Sequence, residues 1–188
     1  AITFNFLMSL AGGLMAGYII SKGDAFWTYS SGLAGIIAAS AGNDLYHPLQ
    51  AMFVGSLGVI FMYKLHFWVE RKFKIDDAVG AVAVHGYAGF FGVCAAGFLL
   101  WGYPSSPNPD YASITPWGQL LGAIIMFWVL GFIPAFITAK ILKSAGVLRI
   151  PREIELLGLD IMSEIAAEDE AKEVVLAEQA EAKKLGIE

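Results

Sequence analysis

The feature that most constrains this chain is a succession of long apolar runs separated by short polar links. The first extends from about Ala1 to Ser21, and a shorter second from about Trp27 to Gly42. A third covers about Leu49 to Val69, a fourth Ala78 to Gly102 and a fifth Gln119 to Leu142. A bilayer core about 30 Å thick takes about 20 mostly apolar residues to cross as a helix. The runs are continuous and lack the alternation of barrel strands, so helices are expected. The expected fold class is an all-α integral membrane protein, a polytopic helical bundle. Its membrane domain covers residues 1–143, and residues 144–188 form an acidic tail. Composition agrees, because 57% of the 188 residues are hydrophobic and only 15% are charged, against roughly 25% charged in soluble domains. The net charge of −5 belongs mainly to the tail. No basic stripe is available to meet phosphates, which argues against nucleic acid as a partner. The single cysteine, Cys94, cannot form an internal disulfide and leaves the redox compartment open.

Basic residues fall on every second link. Lys22 follows the first run, Arg71, Lys72 and Lys74 follow the third, and Lys143, Arg149 and Arg152 follow the fifth. By the positive-inside rule those links are cytoplasmic, so the chain is expected to start outside a cell (inner) membrane and end in the cytoplasm. Lys64 and Lys140 would snorkel towards the same side. Small residues such as Gly13, Gly17, Gly32, Gly35, Gly55, Gly58, Gly86, Gly89 and Gly92 are expected to be packing surfaces, since lipid supplies no hydrophobic force between helices. Trp27, Trp68, Trp101 and Trp117 lie near expected membrane boundaries, as an aromatic belt does. The stretch from Tyr103 to Pro116, with four prolines, reads as an extended outer loop. From about Ser163 to Leu185 a charged, Ala-rich sequence reads as a solvated helix.

There is no nucleotide loop, no HExxH and no Cys/His cluster with metal spacing, so an enzyme is not expected and no cofactor is implied. What remains is one ionisable residue deep in an apolar run, His85. Counted from Asp77 at 1.5 Å per residue it stands roughly 12 Å along a helix, close to the bilayer midplane. An ionisable side chain at that depth is a functional candidate. On its helical face stand Ala78, Ala81, Val82, Ala88, Gly89 and Gly92, so the ring is expected to project into a crevice between closely packed helices. Desolvation there disfavours the imidazolium, and the neutral ring must still place one donor and one acceptor. His47 and His66 lie at other depths, so the partner of His85 is expected outside this chain. A buried histidine bonded to a carbonyl or hydroxyl, and an axial ligand of a pigment or haem, are the alternatives.

The stretch Asp76-Asp77-Ala78-Val79-Gly80-Ala81-Val82-Ala83-Val84-His85-Gly86 resembles the DD…VHG signature of the ammonium transporter family. Ser31-Gly32-Leu33-Ala34-Gly35-Ile36-Ile37-Ala38-Ala39-Ser40 is similar to a second helix of that family. Leu148-Arg149-Ile150 through Glu155, then Gly158-Leu159-Asp160, is similar to the run after its last helix. The resemblance covers Ala1 to about Asp160. It implies the C-terminal part of such a protein, about the last five of eleven helices, so the first-half helices would come from the same gene or a companion chain. It further implies a homotrimer with a hydrophobic ammonium/ammonia pore in each subunit, holding two histidines, of which His85 is the second. Ala81 and Val82 would line that pore beside His85, and Ser40 stands where the family often has a Thr near it. A PII-type regulator on the cytoplasmic face is an implied partner. The sequence departs from the family at Gly80, in the loop Asn43–Pro48 and after Asp160. Three readings follow: a transporter half, an ammonium sensor signalling through its tail, and a structural membrane subunit.

Overall fold

The structure, a computed structural model, describes residues 1–105, 112–158, 169 and 172. Every regular element among them is helical: α1 (Ile2–Ser21), α2 (Ala25–Ala39), α3 (Pro48–Phe73), a π-helical segment (Val82–Tyr87) leading into α4 (Ala88–Leu99), α5 (Pro116–Ile124), a second π-helical segment (Ile125–Phe132), α6 (Ile133–Ser144) and α7 (Arg152–Leu157). Four stretches are long and apolar enough to cross a membrane: Ile2–Ser21, Pro48–Phe73, Val82–Leu99 and Pro116–Ser144. The short second run is the 15-residue α2, which a 3-10 turn extends from Ser40 to Gly42. The chain divides into two compact units, Ala1–Pro134 and Ala135–Glu188.

Local chemistry sets the helix ends. α1 stops where Lys22 takes a left-handed conformation at φ 58° and the Gly23 N–H folds back onto Tyr18 O at 2.9 Å, a closure that satisfies the last carbonyls. Asp24 then caps α2 by accepting the Trp27 N–H at 2.8 Å. At the start of α3, His47 accepts the Leu49 N–H while its own N–H donates to Gln50 Oε1 at 2.9 Å, ahead of Pro48. His47 is therefore a cap. Thr115 and Pro116 open α5 in the same manner, with Thr115 Oγ1 accepting the Gly118 N–H.

In the first unit α1, α2 and α3 pack closely through small residues. A Cβ on Gly35 would lie 2.5 Å from Ser9 O and 2.9 Å from Gly13 Cα, and one on Gly55 would lie 2.7 Å from Ser9 O. Backbones meet here, as bundles without a hydrophobic driving force require. α4 docks on α2 likewise, with Gly92 against the backbone of Ala38. The core is correspondingly fine-grained: Ala34, Ala38, Ala39, Ala51, Val54, Val59, Met62, Ala83 and Ala88 are almost wholly buried. At the far end of α1 the buried Asn5 donates to Asn43 O and Tyr46 O, both at 2.8 Å, and ties down the loop before α3. Burial pushes the Tyr46 phenol up to about 12.

Two expectations need correction. The fourth helix begins at Ala81 and ends at Leu99, inside the expected Ala78–Gly102. Ala78 to Gly80 form a turn whose Gly80 takes φ +65°, a conformation that costs other residues strain. Trp27, near the start of α2, packs its ring on Tyr63, His66 and Phe67. The expected face around His85 is also split, as described below. The loop after Leu100 narrows to a neck in which Ile114 N–H donates to Tyr103 O at 2.8 Å and Gly102 N–H to Ile114 O at 2.9 Å. Pro107 and Pro109 lie outside the described residues, and so does almost all of the expected tail helix from Ser163 to Leu185.

The second unit begins within α6. That helix closes at Gly146, φ +74°, with Val147 N–H bonded to Leu142 O at 3.1 Å. Arg149 then pairs with Glu155 of α7, joining two residues of the Leu148–Asp160 stretch. Both side chains are exposed, so the pair orders the turn more than it stabilises it.

Candidate functional site

His85 lies in the π-helical segment Val82–Tyr87. In such a segment backbone bonds run from i to i+5, which widens the turn; these segments are rare and concentrate at functional sites. The extra residue changes which side chains share a face. Ala81, Val82 and His85 are exposed, with Val82 at 53%, whereas Ala88 and Gly92, expected beside His85, are buried. A 3.6-residue period aligns His85 with Ala88 and Gly92, and the π turn takes them apart. His85 therefore does not enter a crevice among these helices. Among the described residues nothing hydrogen-bonds to its ring, and a Cβ on the adjoining Gly86 would meet only Val82 Cγ1, at 3.5 Å.

The N-terminal end of this segment is held by Asp77. Its Oδ1 accepts the Val82 N–H at 3.2 Å and its Oδ2 the Ala83 N–H at 3.0 Å. Those amides are orphan donors of a helix start, and the carboxylate meets the positive end of the helix dipole. Asp77 does not pair with His85. It faces His66 of α3, whose Nδ1 lies 3.7 Å from Asp77 Oδ2 while its Nε2 lies 3.3 Å from Glu70 Oε1. His66 is only 4% exposed.

Ser40 stands at another level. Gly89 packs against Ile37 and Gly92 against Ala38, which puts Ser40 on the order of two helical turns beyond His85. Its hydroxyl donates to Ile36 O at 2.8 Å and is exposed. Of the expected site residues the structure thus groups Ala81, Val82 and His85, with Ser40 apart. Sequence reasoning missed His66 and Asp77 as a pair. The available signal was a lone histidine opposite a doublet of aspartates across one link, where α3 ends at a left-handed Lys74. Among the described residues no group of three His, Cys, Asp or Glu side chains could hold a metal ion.

The family model described as the Ammonium Transporter Family matches residues 1–168. The chain belongs to the ammonium transporter family. Ammonium transporter Amt1 of Methanocaldococcus jannaschii is 37% identical over 158 residues, covering 81% of this chain and 38% of that protein. Amt2 of the same organism is 34% identical over 158 residues, covering 82% of this chain and 36% of the relative. The ammonium transporter of Bacillus subtilis is 30% identical over 158 residues, with 81% and 39% covered. This family member therefore spans less than two fifths of the length of these relatives. No solved structure matches it. Family and apolar helices together make it a multi-pass membrane protein, built as a helical bundle.

Proposed function

We propose that this chain is the C-terminal part of a transporter that conducts ammonium or ammonia across a cell membrane, with His85 facing the pore. The observation that carries the reading is the exposed face formed by Ala81, Val82 and His85, on a π-helical turn, in a chain of this family. First-half helices would cover that face, enclose a narrow apolar path and supply a second histidine. Ala81 and Val82 present only small apolar groups, so the imidazole is the polar group a permeating species meets there.

A bare cation at the bilayer centre costs several kcal/mol or more. Ammonium must shed its proton there or be compensated by polar atoms. An imidazole meets that need when one nitrogen donates to a fixed partner and the other stays free as an acceptor. The rest of the reading follows the alternation of basic links: the chain starts outside, ends in the cytoplasm and crosses five times, with α2 as the short crossing. A homotrimer and a PII-type regulator on the cytoplasmic face belong to the same proposal. The test is ammonium-dependent current or uptake by the full-length protein in liposomes. Saturable ammonium flux supports the reading, and binding without flux overturns it in favour of a sensor. A His85→Glu variant is expected to keep flux but admit K⁺, because a carboxylate stabilises a charged ion in the pore.

A further inference from the structure

A buried imidazole in a bundle held together by small apolar residues calls for an account, because a buried polar group is costly unless it is satisfied. His66 is fixed from several directions. The Trp27 ring lies 4.7 Å from its centroid and the Phe67 ring 4.9 Å. Glu70 Oε1 stands 3.3 Å from Nε2, one helical turn further along α3. Asp77 Oδ2 stands 3.7 Å from Nδ1, beyond direct hydrogen bonding, and makes an ion pair with the ring when it carries a proton on both nitrogens. Asp77 is itself the group that accepts the Val82 and Ala83 N–H groups.

We propose that His66 is a positioning residue for His85: it holds the Asp77 carboxylate, and that carboxylate fixes the first turn of the helix on which His85 is carried. This rests on the reading of His85 as a pore residue. The chain of contacts is short and each member has a definite task. Trp27 orients the His66 ring and also underlies the turn, since a Cβ at Gly80 would lie 3.4 Å from Trp27 Cη2. The turn brings Asp77 under the helix start. Val82 and Ala83 open the π-helical segment, and the direction of His85 depends on whether that segment keeps its i to i+5 bonds. A carboxylate free to move would release two amides and allow the ordinary α register. That register brings His85 onto one face with Ala88 and Gly92, which are buried. Glu70 keeps the ring from swinging away from Asp77.

The experiment uses the full-length protein with His66→Phe, which keeps an aromatic ring on Trp27, and His66→Gln, which keeps a donor. Hydrogen exchange at the Val82 and Ala83 amides and the imidazole resonances of His85 are read together with ammonium flux. In His66→Phe the exchange of those two amides is expected to rise about tenfold, as for a lost cap. The His85 resonances should shift and flux should fall at least about fivefold. In His66→Gln exchange and resonances should return most of the way to wild type. Unchanged exchange and unchanged His85 resonances in a folded His66→Phe protein overturn the proposal, whatever the flux. If His66→Phe does not fold, wild-type flux from His66→Gln with displaced His85 resonances overturns it equally. Absence of flux in the wild type counts against the pore reading alone, because exchange and resonances still decide the role of His66.

Discussion

Two helices of this chain carry stripes of small residues, and they use them in opposite ways. On α1 the buried positions are Asn5, Ser9, Gly12, Gly13 and Gly17, and the glycines are pressed against the backbones and side chains of α2 and α3. On the helix of His85, Ala81, Val82 and His85 are exposed, and a Cβ on Gly86 beside them would meet only Val82 Cγ1, at 3.5 Å. Composition is alike in both places. The difference is whether a second backbone fills the space that a missing side chain leaves. A small residue is a packing device where it is met and a lining where it is not.

The comparison breaks most visibly on its packed side. Gly35→Ala puts a methyl 2.5 Å from Ser9 O and 2.9 Å from Gly13 Cα; both are backbone atoms, so neither neighbour can turn aside. We expect a loss near about 3 kcal/mol, the upper part of the overpacking range, seen as a lower melting temperature in detergent and less assembled protein. Asn5→Ala comes next. It leaves the carbonyls of Asn43 and Tyr46 without their donor, at about 1–3 kcal/mol for buried groups left unsatisfied, measured by the same melting curve. Gly86→Ala probes the open side and carries the smallest effect. With only Val82 Cγ1 nearby at 3.5 Å, stability should hold or rise by up to about 1 kcal/mol, as for a helical Gly→Ala change. A cost like that of Gly35→Ala would show that a backbone closes over the His85 face, which contradicts an open path there.

Much of the packed side was legible in the sequence. The apolar runs located the helices to within a few residues. Among the expected packing glycines Gly13, Gly35, Gly55 and Gly92 meet another backbone, whereas Gly32, Gly58 and Gly89 meet side chains and Gly86 meets no other helix. Other features depend on events that side-chain identity does not signal. Whether Val82–Tyr87 closes i to i+4 or i to i+5 bonds is not signalled by its apolar residue types, so a 3.6-residue count set His85 beside Ala88 and Gly92. His66 lies at another depth than His85, and residue identity alone does not signal that Asp77 comes within 3.7 Å of it. Trp27 had the position of an interfacial aromatic, and its packing on Tyr63 and His66 depends on the crossing of α2 and α3.

The central claim is that the exposed His85 serves conduction and not packing. The most direct measurement is ammonium flux through the full-length His85→Ala protein, compared with wild type at equal amounts of assembled protein. The account predicts a fall of at least about tenfold, equivalent to about 1.4 kcal/mol on the barrier, or a changed ammonium-to-K⁺ selectivity. The melting temperature should change little, because on this account the face His85 shares with Ala81 and Val82 lines a path and is not packed against a neighbouring helix. Wild-type flux with wild-type selectivity in His85→Ala would contradict it.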